Sequence, residues 1–249
     1  MNRLGRRKLA TTPPERIVHD EPIPCPYLRG QTACLPLRLP ARPLSAEEFA
    51  QRLEAGDRRQ GVVLYRPTCP SCRACEAIRI EADRFAPNKT RRRIFRRGAA
   101  LLETSIGPAT ATAEKVALYN RHKEERGLQM GNERIDLIGY DQFLVDTCTD
   151  TIELSYRHQG KLVGVAITDR AAGALSAVYS FYDPDYGWLS PGVYSILTQL
   201  SLCRRWGLRY LYLGLYVGGC RAMRYKASYL PHERLIDGAW RRFDRPLGP

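Results

Sequence analysis

The 249-residue chain is long enough to bury one large core, or two small ones, without covalent staples. Its apolar share of 44% and charged share of 26% are those of an ordinary soluble protein, and no apolar run approaches the roughly 18 residues that a bilayer span requires. Lysine and arginine total 39 against 26 acidic residues, and the resulting +13 points to a polyanionic partner, nucleic acid before an anionic membrane surface.

The first 43 residues are proline-rich and are expected to run extended, with Arg3, Arg6, Arg7 and Lys8 giving a basic start. Prolines and charges stand where the apolar stretch of an export signal would be, so neither a secretory nor a twin-arginine signal is expected, and the cytoplasm is the assigned compartment. Ser45, followed three residues later by Glu48, is a capping box. It opens a helix that carries Phe49 and Leu53 on one face and stops at Gly56. Residues 61–67 (GVVLYRP) and 76–80 (EAIRI) read as short paired strands on either side of a cysteine loop. Residues 84–97, RFAPNKTRRRIFRR, read as a polar connector running into a basic stretch.

A helix is expected from about Thr112 to Arg126, with Val116, Tyr119 and Lys123 along one side and Gly127 at its end, then a shorter helix within 139–148. Beyond residue 150, runs separated by the turns QG and RAAG predict a three-strand meander over 151–158, 161–169 and 174–184. Pro191 and Gly192 open a helix whose Ile196, Leu197, Leu200 and Trp206 face the sheet. A β-prone strand at 209–217 and a short helix or irregular turn at 220–231 complete the pattern. This α+β order fits a GNAT-like acyltransferase sheet, where a strand, a helix and a splayed next strand make an acyl-transfer cleft. An N-terminal cysteine-containing region is set at 1–100 and the GNAT-like transferase domain at 101–249.

The loop CPSCRAC spaces Cys69, Cys72 and Cys75 so that their thiolates can converge on one ion. A fourth ligand is then needed. Cys25, between Pro24 and Pro26, is the first candidate and Cys34 the second, and either zinc or an iron–sulfur centre would use such a set. The alternatives are redox or regulatory thiols, or no special role. Cys34, Cys148, Cys203 and Cys220 stand alone and read as small buried side chains, while His122 and His158 read as structural or solvent-facing. Tyr182, Asp183, Asp185 and Tyr194 lie where the meander hands over to the helix, the crevice that open sheets use for ligands. Asp183, ahead of Pro184, either binds or deprotonates an amine or simply shapes a turn. Lys226, beside Tyr225, pairs with a phosphate, stabilises an oxyanion, or is a solvated surface lysine. No Ser-His-Asp order, Walker loop or G-x-G-x-x-G is present, nor the glycine-rich loop with which acetyltransferases hold coenzyme A.

Several blocks in fixed order resemble the aminoacyl-tRNA–protein transferases over nearly the whole chain. They are CPYL at 25–28, RRQGVVLYRPTCPSCRACEAIRI at 58–80, RRRIFRR at 91–97, SAVYSFYDP at 176–184, and YLYLGLYV with MRYKASYLPHE between 210 and 233. The similarity is to the bacterial branch, the aspartate/glutamate leucyltransferases, related in turn to the eukaryotic arginyltransferases. The resemblance implies transfer of leucine from Leu-tRNA to the α-amine of proteins that begin with Asp or Glu, an N-end rule degradation tag. It implies no cofactor for the chemistry, because the donor ester is already activated. Related arginyltransferases hold zinc or an iron–sulfur centre in the region where Cys25, Cys69, Cys72 and Cys75 stand here. Two departures stand out: Leu28 replaces a second cysteine of the eukaryotic relatives, and Ser190-Pro191-Gly192 stands where the bacterial pattern reads Ser-Leu-Gly.

On this resemblance Lys89, Arg91, Arg92, Arg93, Arg96 and Arg97 contact the tRNA phosphates. Asp183 with Tyr182 orients the attacking amine, while Lys226 and Tyr225 face the oxyanion or the terminal ribose. Arg79 or Arg221 meets the acidic side chain of the acceptor. The alternatives are an arginyl donor on the same acceptors, a non-catalytic metal-stabilised RNA-binding protein, and an acetyl-coenzyme A acetyltransferase on the same sheet.

Overall fold

The computed structural model describes residues 8–9, 11–127 and 134–245, so the basic residues Arg3, Arg6 and Arg7 lie outside the described residues. The extended N-terminal stretch is built of β1 (Lys8–Leu9), β2 (Glu15–His19), β3 (Ile23–Pro24), β4 (Thr32–Ala33) and β5 (Leu37–Pro40). Helix α1 (Ala46–Glu54) follows, and both halves of its capping box are made: Ser45 accepts from Glu48 N, and Glu48 accepts from Ser45 N. Such a cap is worth about 1 kcal/mol. Then come β6 (Arg58–Gln60), β7 (Val63–Tyr65) and β8 (Glu76–Glu81). Strands β1, β2, β5, β7 and β6 form one five-stranded sheet in that order, and β3 pairs with β4 apart from it.

The second half contributes β9 (Glu103–Pro108), α3 (Ala113–Glu125), α4 (Leu137–Tyr140), β10 (Asp150–His158), β11 (Lys161–Ala171) and β12 (Ala174–Tyr182), then α5 (Pro191–Arg205) and β13 (Tyr210–Tyr216). A short α6 (Arg221–Arg224), β14 (His232–Ile236) and β15 (Ala239–Phe243) close the order. The meander of β10, β11 and β12 forms as the turns predict, within an eight-stranded sheet ordered β15-β14-β8-β13-β12-β11-β10-β9. Both faces of this sheet are covered. Alternation along β11 sends Ala166 to the core under α5, and Val165 and Ile167 to the core beside α3.

Three expectations are corrected. Residues 84–97 are not a connector: Asn88 accepts from Arg91 N and starts helix α2 (Lys89–Leu101), which buries Ile94 and Gly98. Gly98 is where α2 meets α5 closely, since a Cβ there would lie 2.3 Å from the Tyr194 ring. Strands β7 and β8 flank the cysteine loop but pair in different sheets, so the loop bridges two sheets instead of closing a hairpin. Trp206 ends α5 and is exposed, whereas Ile196, Leu197 and Leu200 are buried as expected. Residues on both sides of position 100 pack together: β8 lies between β13 and β14 in the large sheet, and the buried Arg59–Asp169 ion pair ties β6 to β11.

Candidate active site

The large sheet parts at one place. Strands β12 and β13 run parallel and pair only over Ala174–Ser176 and Tyr210–Tyr212. Beyond that, β12 stays with β11 and β13 stays with β8, whose register shifts between Tyr212 and Leu215. A wedge therefore opens toward the C-terminal ends of both strands, the crevice in which open sheets place ligands. The splayed pair is the GNAT-like feature expected from the order of elements.

Arg58 of β6 fills the floor of the wedge. Its Nη1 donates to Ser176 Oγ at 3.3 Å and its Nη2 to the Ala177 carbonyl at 3.0 Å. Gly214, at φ +82°, leaves room for it, because a Cβ there would sit 3.0 Å from Arg58 Nη2. On the β13 side Lys226 is buried and donates from Nζ to the Leu215 carbonyl at 2.7 Å and to Met223 Sδ at 3.2 Å. Burial, then the nearby Arg58 charge, pushes Lys226 down to about 7. Lys226 is thus no solvated surface lysine.

Tyr182 and Tyr225 stand by the mouth. Tyr182 Oη accepts from Arg126, and its ring packs edge-on against His122, with centroids 4.6 Å apart. His122 is buried and its Nδ1 meets the Tyr182 backbone, a structural histidine as expected. The Tyr225 ring is half exposed, yet burial at its hydroxyl end, followed by the Tyr182 hydroxyl, raises its pKa. Asp183 has another part. It is buried, pairs with Arg121 Nη1 and Lys161 Nζ, each at 2.8 Å, and accepts from Asp185 N at 3.1 Å to cap the 3-10 turn Pro184–Leu189. Both of its oxygens are engaged in a buried cluster of ion pairs, and its cap on the 3-10 turn fits the turn-shaping reading.

The two candidate acceptor cations separate just as clearly. Arg79 is locked between the Tyr210 and Trp240 rings, at 3.9 and 4.0 Å, and pairs with Glu54 and Glu233. It is spent on structure and is withdrawn as a substrate group. Arg221 is exposed on α6, and no partner for its side chain is found among the described residues.

Helix α2 lies along this site. Arg91 donates to Ser228 O and Oγ, next to Lys226, while Arg97 donates to the Trp188 carbonyl just ahead of α5. Lys89, Arg92, Arg93 and Arg96 are exposed, and none of the six basic residues pairs with a carboxylate among the described residues. The first turn of α2 holds no acidic residue and its last turn no basic one. Cations near a helix N-terminus oppose the macrodipole, so this charge works against the helix that carries it.

Cys25, Cys69, Cys72 and Cys75 line one cleft of about 520 Å³, together with Tyr27, Leu215 and the β14–β15 turn. Burial and then the neighbouring thiols push Cys75 up to about 12. Tyr27 links this cleft to the wedge. Burial, then Tyr65, raises its hydroxyl pKa, and the Arg58 charge acts against them. Cys34 N lies 3.4 Å from Cys69 Sγ, so both candidates for a fourth ligand stand near the loop. Among the described residues, however, no three His, Cys, Asp or Glu side chains converge closely enough to hold a metal ion. The thiols are the right kind of donor for zinc or an iron–sulfur centre, but their arrangement does not close around one.

Two family models cover most of the chain: "Arginine-tRNA-protein transferase, N terminus" matches residues 23–93 and "Arginine-tRNA-protein transferase, C terminus" residues 114–236. An aspartate/glutamate leucyltransferase of Chromobacterium violaceum is 38% identical over 88% of this chain and 90% of its own. One of Gluconacetobacter diazotrophicus is 37% identical over 95% and 91%. This chain belongs to the aminoacyl-tRNA–protein transferase family. Among solved structures, a domain from Agrobacterium fabrum assigned to a lysylphosphatidylglycerol synthetase aligns at 14% identity with a TM-score of 0.46, over 78% of this chain and 62% of that one.

Sequence reading did not single out Arg58 or Arg126, which the structure places at the floor and mouth of the wedge. Arg58 lies in "DRRQ" ahead of a strand, where paired arginines look like a solvated edge. Arg126 ends a helix, where a basic residue is explained by the dipole alone. Only tertiary placement marks either one.

Proposed function

We propose that the protein moves leucine from Leu-tRNA onto the α-amine of proteins that begin with Asp or Glu, in the cytoplasm, marking them through the N-end rule. The observation that carries this reading is the carboxylate-free basic face of α2 tied at both ends to the walls of the wedge. A nucleic-acid backbone following that face brings its terminal ester to the cleft. The curated relatives named above supply the leucyl donor and the acidic acceptors, and the eight free cysteines suit a reducing compartment.

The chemistry asks little beyond placement. The acceptor α-amine, with an ordinary pKa near 8, is partly neutral at physiological pH. It attacks the carbonyl carbon of the leucyl ester. The C–N bond forms, the ester C–O bond breaks, and the amine's surplus proton ends on the departing ribose hydroxyl. Tyr225 and Tyr182, whose Oη Arg126 holds, stand where they can relay that proton and donate to the oxyanion. Positioning an amine against an activated ester is worth on the order of 7–11 kcal/mol in favourable cases. No ATP is consumed.

The test offers labelled Leu-tRNA and Arg-tRNA to peptides beginning with Asp, Glu, Arg or Lys. Leucine appears on the Asp and Glu peptides if the reading is right. Arginine on those peptides changes the donor, label on Arg or Lys peptides changes the acceptor, and tRNA binding without any transfer leaves an RNA-binding protein. Coenzyme A binding by calorimetry would instead favour acetyl transfer.

A further inference from the structure

Among the described residues, buried arginines and lysines have acidic partners, with two exceptions. Arg38 pairs with Glu15 and Asp57, Arg59 with Asp169, Arg79 with Glu54 and Glu233, Lys115 with Glu153, and Arg234 with Glu76. Arg58 and Lys226 are 7% and 8% exposed, and neither reaches a carboxylate among the described residues. Their partners are neutral: Ser176 Oγ and the Ala177 carbonyl for Arg58, the Leu215 carbonyl and Met223 Sδ for Lys226. Asp169, whose charge is felt at Arg58, is held by both oxygens on Arg59, at 2.7 and 2.9 Å.

The two exceptions share one place. Arg58 packs on Gly214, and the adjoining Leu215 gives its carbonyl to Lys226. Two buried positive charges beside one another, with no counter-ion, are costly unless an anion arrives to complete them. Five N–H groups on Arg58 and three on Lys226 exceed the partners named, so donors remain for a carboxylate.

We propose that Arg58 and Lys226 together seat the carboxylate of the acceptor protein's N-terminal Asp or Glu side chain. This rests on the transferase reading above and names the group that selects its acceptor. The depth of the pair favours a slim side chain at a chain end over a phosphate of the tRNA backbone, whose charges suit the exposed face of α2. Burial and Arg58 push Lys226 down to about 7, and an arriving carboxylate would hold it charged.

The test measures KM for Asp- and Glu-peptides and, separately, the affinity for leucyl-tRNA in wild type, Arg58→Gln, Arg58→Lys and Lys226→Met, with thermal melts to confirm folding. Losing one charge-assisted contact should raise the acceptor KM roughly 10–100-fold, leave tRNA affinity unchanged, and be partly restored in Arg58→Lys. An unchanged KM in folded Arg58→Gln and Lys226→Met overturns the proposal, and so does a loss of tRNA affinity in place of the KM effect. A tRNA-free arm separates this failure from failure of the transferase reading. An Asp-Ala dipeptide should raise the melting temperature of wild type but not of the variants, and Asn-Ala should raise neither. If wild type transfers no leucine the function falls, while the dipeptide still decides the seat. If Arg58→Gln does not fold, Lys226→Met carries both arms.

Discussion

Replacing Lys226 by methionine should stabilise the protein near pH 6.5, by an amount that fades as pH rises. Lys226 sits at about 7 in the folded chain, against an ordinary 10.5, because of burial and then Arg58. Below the folded value both states carry the proton, and the folded state bears the full cost of a buried ammonium. Between about 7 and 10.5 the unfolded chain binds the proton and the folded chain does not, so stability rises with pH and the cost fades. At 1.36 kcal/mol for each pH unit of that gap, the penalty is roughly 4–5 kcal/mol near pH 6.5 and roughly 1–2 kcal/mol near pH 9.5. Methionine removes it but leaves the Leu215 carbonyl without a donor, a loss of about 1–3 kcal/mol that does not vary with pH. The gain in Lys226→Met should therefore be about 3 kcal/mol larger near pH 6.5 than near pH 9.5. Urea unfolding followed by tryptophan fluorescence at both pH values reads this directly. Both chains should carry Cys220→Ser, since that thiol also acts on Lys226. Equal stability differences at the two pH values would refute a depressed lysine, and with it the unpaired burial from which the value comes.

Gly98→Ala should destabilise, because the new Cβ meets a Tyr194 ring fixed by Phe95, Tyr156 and a bond to Thr104 Oγ1. An exposed helix site would gain about 1 kcal/mol from the same change, so a loss of roughly 1–3 kcal/mol in thermal or urea unfolding marks the α2–α5 contact. Arg93→Gln with Arg96→Gln should weaken tRNA binding and reduce the slope of log affinity against log salt by roughly 2, as measured by filter binding across a salt series. Asp183→Asn should lower stability by roughly 1–3 kcal/mol, since Arg121 and Lys161 are partly solvated, yet leave kcat of the folded fraction within about threefold. A far larger fall in kcat with the melting temperature unchanged would return Asp183 to the chemistry.

The regular parts of the fold were legible where one local signal sufficed. Ser45 and Glu48 specify the start of α1, and the turns QG and RAAG punctuate the meander. Basic residues hid α2. Its six cations swamp the spacing of Ile94, Phe95 and Gly98, and its partner, α5, is remote in sequence. Strand β8 was visible as a strand but not as the centre of the large sheet. Nothing near residues 76–81 announces neighbours drawn from beyond residue 210.

By itself the sequence determined the family, the helix caps, the meander, the thiol spacing and the surplus of positive charge, because each is written in neighbouring residues or in their number. Tertiary structure decided which charges are available. Arg79 and Arg58 both come from short strands of the first hundred residues, yet one is sealed between two rings and two carboxylates while the other is left without a counter-ion in the wedge. Electrostatic cost depends on what surrounds a group in space, and for these side chains most of the surroundings come from segments more than a hundred residues away.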